Sequence, residues 1–334
     1  MTTLDEKFRL LAADNAPGQE VRQKLTDLDA HMRGGLFNGV PVDFSHGDVD
    51  AFPPTPGSDD AWNKGFAVGA QQAYTEYRGA AAIRIGLAER LAAFTGRPIS
   101  AERELIITPG TQGALFLALG ATVTAGTKVA VVEPDYFANS KLVRFFGGEV
   151  VPIALSYLGS RSENGPDLGQ LETAFSNGTE VLVFSTPNNP TGLVYSASDI
   201  NAIAELASKH GVTVIVDQLY SRLLYSGESY THLRAHEKAP ENLITIMGPS
   251  KTESLSGFRL GTAFGTAKLI ERMERLQAIV SLRAAGYNQA ALDTWFNEPE
   301  GWMNNRISQH EAIRDELIDI FREATLGIAV PQAG

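Results

Sequence analysis

The chain has 334 residues, 43% of them apolar, enough to bury a large core and, on length, to form two domains. Lys and Arg number 28 against 39 Asp and Glu, and the net charge of −11 argues against a nucleic-acid backbone or an anionic membrane surface as partner. Without Cys there is no disulfide, thiolate metal site or Cys nucleophile, and no metal ligands are expected.

Residues 1–35 are charged and helix-forming and end at Gly34-Gly35, so residues 1–45 read as an N-terminal arm. The arm lacks the apolar core of a signal peptide, and no apolar run reaches the ~18 residues that span a bilayer; the expectation is a cytoplasmic protein. Pro41 to Pro56 is an irregular loop. Residues 79–95 carry apolar side chains at helical spacing. Short apolar runs then alternate with helical patterns. The strand-like runs are 104–108, 128–132, 149–153, 181–185, 212–216 and 243–247; helices are expected at 112–120, 138–146 and 197–210. Such alternation predicts a mostly parallel α/β sheet with helices on both faces and a ligand crevice at the strand carboxyl ends. Residues 267–284 and 307–324 read as helices, and 327–334 as the beginning of another strand.

The unusual clusters follow the strands. Ser185-Thr186-Pro187-Asn188-Asn189-Pro190-Thr191-Gly192 is more than a turn: two Asn stand between two Pro, which fix φ. Asp217-Gln218-Leu219-Tyr220 follows a strand; Asp217 alone reads as a helix cap, but a carboxylate there also suits a buried heterocyclic cation, with Tyr220 as a donor to a phenolate oxygen. Lys251, among small residues after a strand, is placed as a desolvated amine nucleophile for aldehydes. Arg259, eight positions on within an apolar segment, reads as a buried cation with a phosphate partner, against the plainer alternative of a surface ion pair. Gly110-Thr111-Gln112-Gly113 opens a helix where an anion can sit, though it is neither a Walker loop nor a dinucleotide fingerprint. Tyr136, in Glu133-Pro134-Asp135-Tyr136, can stack on a flat ring, although a core aromatic is the commoner reading.

In order and spacing, TPNNPTG, DxxY and SKTxSLSGFRLG resemble the class I/II aminotransferases, aspartate-aminotransferase-like enzymes of fold-type I that depend on pyridoxal 5'-phosphate (PLP), from about residue 46 to the end. The resemblance implies a large PLP-binding domain over 46–290 and the start of a small α+β domain over 291–334. It implies a PLP Schiff base on Lys251, which also shuttles the proton. Asp217 keeps the pyridine nitrogen protonated, Asn189 and Tyr220 bond the ring oxygen, and Tyr136 stacks on the ring. Thr111, Gln112, Ser250 and Arg259 hold the phosphate, joined by Tyr74 across a homodimer interface. Gly47, with Asn189, lies at the substrate. Gly248 departs from the family's frequent Ser. The chain ends at Gly334, before the position of the family's substrate-carboxylate Arg, so the small domain reads as truncated and the chain as binding PLP better than it turns over substrate. Arg283 loosely matches an Arg that reads a dicarboxylic side chain from a partner subunit; a surface Arg at a helix end is the plainer reading.

The implied reaction is transamination between an amino acid and a 2-oxo acid. The same constellation serves a C–S lyase, a racemase or an amino-acid oxidase. A non-catalytic PLP sensor would need a basic DNA reader, for which residues 1–45 are too short. A nicotinamide oxidoreductase would need G-x-G-x-x-G and would leave Lys251 without a role.

Overall fold

The computed structural model describes residues 4–11 and 52–334. The chain divides into two compact units, Met1–Pro53 and Pro54–Gly334. In the first, the helix Leu4–Leu11 opens on Asp5 and Glu6 and carries Arg9 in its last turn, an order that suits the helix dipole. Apart from that helix the expected arm, and Gly47, lie outside the described residues.

The second unit holds a sheet of β1 (Leu105–Pro109), β2 (Lys128–Glu133), β3 (Glu149–Ser156), β4 (Gly165–Pro166), β5 (Val181–Ser185), β6 (Thr213–Asp217), β7 (Leu243–Met247) and β8 (Leu260–Gly265). Their order is β1-β8-β7-β6-β5-β2-β3-β4. Strands β3, β2, β5, β6 and β7 are parallel neighbours. β8 runs antiparallel between β7 and β1, and β4 antiparallel to β3.

Each apolar run in the sequence becomes a strand because both of its faces are covered. Val129, Val131, Val181, Val183, Ile215, Ile244 and Ile246 pack into one core. Their alternates Ala130, Val132, Leu182, Phe184, Val214 and Val216 pack into another on the opposite face. The helix Gly110–Thr122 is buried along Ala114, Leu115, Leu117, Ala118 and Leu119 in the first core. The helix Ala197–His210 covers the second; it starts at a capping box between Ser196 and Asp199 and stops at Gly211, whose φ is 67°.

The structure departs from the sequence expectations at three places. Residues 327–334 form no strand; among them only Ala333 makes a β-bridge, to Leu224. β8 was not anticipated, since Gly261, Thr262 and Gly265 dilute its apolar signal, yet Leu260 to Phe264 are all buried. The last helix begins earlier than its periodicity suggests, at Trp302, and runs to Glu323.

Candidate active site

The carboxyl ends of β5, β6 and β7 are aligned: Ser185 pairs with Asp217, and Asp217 with Ile246. Asp217 caps no helix. Residues 218–223 form turns, and its Oδ1 accepts the Leu219 N–H at 2.9 Å. Burial pushes this carboxyl up to about 6, opposed by that single backbone hydrogen bond. Among the described residues no cation offsets it. Burial, with Asp217 and Tyr136 nearby, pushes the Tyr220 hydroxyl up to about 12, so it stays a proton donor across the physiological range. The Tyr136 hydroxyl is also raised, by burial and then by Asp217, while Arg259 pulls it down. It donates to Gln112 Oε1 at 2.9 Å. Asp217, Tyr220, Tyr136, Gln112 and Arg259 thus surround one site.

The two Asn of the β5 loop divide their work. Asn188 is buried and builds the loop: its Oδ1 accepts from the Thr191 N–H at 3.1 Å and hydroxyl at 2.7 Å, and its Nδ2 donates to Pro134 O at 3.2 Å. Asn189 is half-buried and faces a cleft of about 440 Å³ that Tyr220, Tyr225 and the helix Trp302–Glu323 also line. Asp135, unremarked in the sequence, braces the same loop by accepting from the Ser185 backbone at 2.8 Å and from its hydroxyl. Burial raises its carboxyl to about 7.

At the other end, three glycines meet. A Cβ on Gly261 would lie 2.4 Å from the Gly110 carbonyl carbon, and one on Gly248 2.6 Å from Thr111 Cγ2. One on Gly110, at φ 74°, would lie 2.7 Å from Arg259 Nη2. Arg259 is therefore exposed rather than buried, with its guanidinium against the first turn of the helix that Gly110 and Thr111 begin. A Ser at position 248 would press on Thr111, which accounts for glycine there. Ser250 is buried beside this cradle in sequence, and Lys251 follows it, half-buried. The turn after Lys251 is tight: Ser254 N–H donates to Lys251 O at 3.1 Å, Leu255 N–H to Pro249 O at 3.1 Å, and Ser254 has φ 53°.

The groups present fit PLP. A half-buried residue's carboxylate with no cation beside it among the described residues suits a protonated pyridine nitrogen. A glycine cradle at a helix N-terminus, beside an exposed guanidinium, suits a phosphate. The amine comes from the strand connection between them. Tyr74 is 78% exposed, with Arg283 Cζ 4.6 Å over its ring and the Arg283 guanidinium donating to Thr75 O. Arg283 is thus held by its own chain's tyrosines and backbone. Sequence reasoning also missed Arg222, Glu253, Glu298 and Arg306, which cluster behind the Lys251 turn; Glu253, two residues past Lys251, was the one available signal.

The sheet order and this cofactor-shaped site define a fold-type I PLP-dependent enzyme. Residues 45–334 match the family model for aminotransferase class I and II. An aspartate aminotransferase from Rhodobacter sphaeroides 2.4.1 is 58% identical, with a TM-score of 0.86, covering 92% of this chain and 82% of that one. Mouse kynurenine–oxoglutarate transaminase 3 is 30% identical over 71% of this chain and 55% of its own length. Aspartate/prephenate aminotransferase of Thermus thermophilus is 34% identical over 60% of this chain and 50% of its own. The chain therefore spans about half the length of these two curated relatives. It belongs to the class I and II aminotransferases, a PLP-dependent family.

Proposed function

We propose that the protein moves an amino group from an amino acid to a 2-oxo acid, with PLP held on Lys251. The observation that carries this is Asp217, half-buried, its carboxylate lacking a cation among the described residues, on the strand next to the one that leads to Lys251. When bound, PLP supplies a protonated ring that accepts the electron pair released at the substrate Cα. Asp217 would hold the ring nitrogen, Asn189 and Tyr220 the ring oxygen, and Tyr136 a ring face. Thr111, Gln112, Ser250 and Arg259 would hold the phosphate. The Lys251 amine would hold the aldehyde carbon and, once displaced by the substrate amine, take the proton from the substrate Cα. The relatives' names make aspartate and 2-oxoglutarate the first pair to test.

The proposal extends to a cytoplasmic homodimer in which Tyr74 reaches the partner's phosphate; its 78% exposure beside Arg283 supports this. It also takes 46–290 as the PLP-binding domain and 291–334 as the start of a small one. Borohydride reduction of the PLP-loaded protein, followed by peptide mass mapping, should label Lys251. Aspartate with 2-oxoglutarate should yield glutamate; ammonia release without glutamate would point to lyase chemistry instead.

A further inference from the structure

Behind the Lys251 turn lies a buried cluster of charge. Arg222 donates from Nη1 and Nη2 to the two oxygens of Glu298, at 2.7 and 3.1 Å, and from Nη1 to Glu253 Oε1. Its side chain is 11% exposed, those of Glu253 and Glu298 1% and 7%. The guanidinium stacks 4.0 Å from the centre of the Phe296 ring, and Glu298 accepts the Phe296 N–H at 3.0 Å. On the far side, Arg306 donates to Ser254 Oγ at 2.7 Å and Thr252 O at 3.2 Å. Thr55 N–H donates to Glu253 O at 3.0 Å.

The cluster's position in the chain gives it meaning. Arg222 stands two residues past Tyr220, in the turn that begins at Asp217; Leu223 N–H closes it on Tyr220 O at 2.9 Å. Glu253 stands two residues past Lys251. The Arg222–Glu253 pair therefore ties the turn after β6 to the turn after β7, and Glu298 holds the guanidinium in one orientation through a two-pronged contact. Buried ion pairs add little net stability compared with apolar packing, so a cluster here is better explained by the geometry it fixes.

We propose that Arg222 is a positioning residue that, through Glu253 and Glu298, holds Tyr220 at hydrogen-bonding distance from the ring oxygen of the cofactor bound to Lys251. The proposal rests on the PLP reading above. A donor that stabilises negative charge on the ring oxygen lowers the pH at which the visible band of the Lys251-bound cofactor titrates. Displacing Tyr220 therefore raises that midpoint.

The test is the band's pH midpoint in PLP-loaded wild type, Y220F, R222K, the triple variant R222M/E253Q/E298Q, and the triple variant combined with Y220F. The triple variant removes Arg222 together with both carboxylates that bind it, and leaves Arg306 its hydrogen bonds to Ser254 and Thr252. Its midpoint should rise by about one pH unit, a tenfold change in proton affinity. In the Y220F background the triple change should add nothing, because the tyrosine it positions is gone. R222K keeps the charge but loses the fork, and should shift the midpoint less, in the same direction. A wild-type midpoint in the triple variant, or an equal shift with and without Tyr220, overturns the proposal. If the triple variant does not fold, an unchanged R222K midpoint overturns it and a raised one supports it. A wild-type protein with no visible band and no label on Lys251 sinks the PLP reading itself, and the proposal with it.

Discussion

Gly261 passes so close to Thr111 that a methyl group on it would lie 2.4 Å from the Thr111 backbone nitrogen. The neighbours of that methyl are main chain, including the Gly110 carbonyl, and cannot rotate aside. Gly261→Ala should therefore push β8 off the first turn of the helix Gly110–Thr122. The expected cost is about 1–3 kcal/mol, the usual penalty for overpacking, and at least a tenfold weaker PLP affinity. Thermal melts and a cofactor titration measure the two. Gly248→Ser, whose Cβ would lie 2.6 Å from the Thr111 side chain but no nearer than 3.3 Å to main chain, should cost less in both; equal losses would show that the cradle is not the cause.

Lys251→Ala should abolish borohydride labelling while leaving the protein folded, because the half-buried amine is not a core side chain. Turnover should fall by several orders of magnitude. Near-normal glutamate formation by this variant would rule Lys251 out as the proton carrier.

Asp217 sets a pH dependence whose sign can be worked out. Its carboxyl is raised in the folded, cofactor-free protein from an ordinary 3.8 to about 6 by burial. A raised acid stabilises the fold below its unfolded value and loses that contribution as pH climbs through the folded value. The cofactor-free protein should thus lose up to about 3 kcal/mol from this group between pH ~4 and ~7. Asp135 adds to the same trend, being raised to about 7. Asp217→Asn should flatten the profile of melting temperature against pH, and should weaken PLP binding most where the ring nitrogen needs its proton. An unchanged profile would mean that Asp217 is ionised and well solvated.

Asn188→Ala removes a buried amide that serves four partners among the described residues, Thr191 N–H, Thr191 hydroxyl, Pro134 O and the Ser185 hydroxyl. Leaving such groups unpaired costs roughly 1–3 kcal/mol. The loop should loosen and carry Asn189 with it, so substrate KM should rise more than melting temperature alone explains. Steady-state kinetics at several temperatures separate the two effects.

Much of the sheet was legible because strands buried on both faces are written as unbroken apolar runs, and 181–185 and 243–247 are wholly buried. β8 was hidden because glycine serves close approach there and carries no apolar signature. The residues proposed for the cofactor side were singled out through their spacing. Arg222 and Glu298 were not, since a charged residue in a sequence reads as solvent-facing until a distant segment folds against it. Arg259 shows the reverse: an apolar neighbourhood in sequence placed it inside, yet it lies at the surface over Gly110, with φ 54°.

A strand that runs against its neighbours starts where they finish. Because β8 is inserted between β7 and β1 in that sense, the chain leaves the sheet at Met247 and re-enters it at Leu260 on the same rim. One short excursion thus delivers both the amine at 251 and the guanidinium at 259. Their spacing is set by the length of that single loop, so on the proposed reading lengthening or shortening it by one residue would detune the grip on the aldehyde carbon and on the neighbouring phosphate arm together.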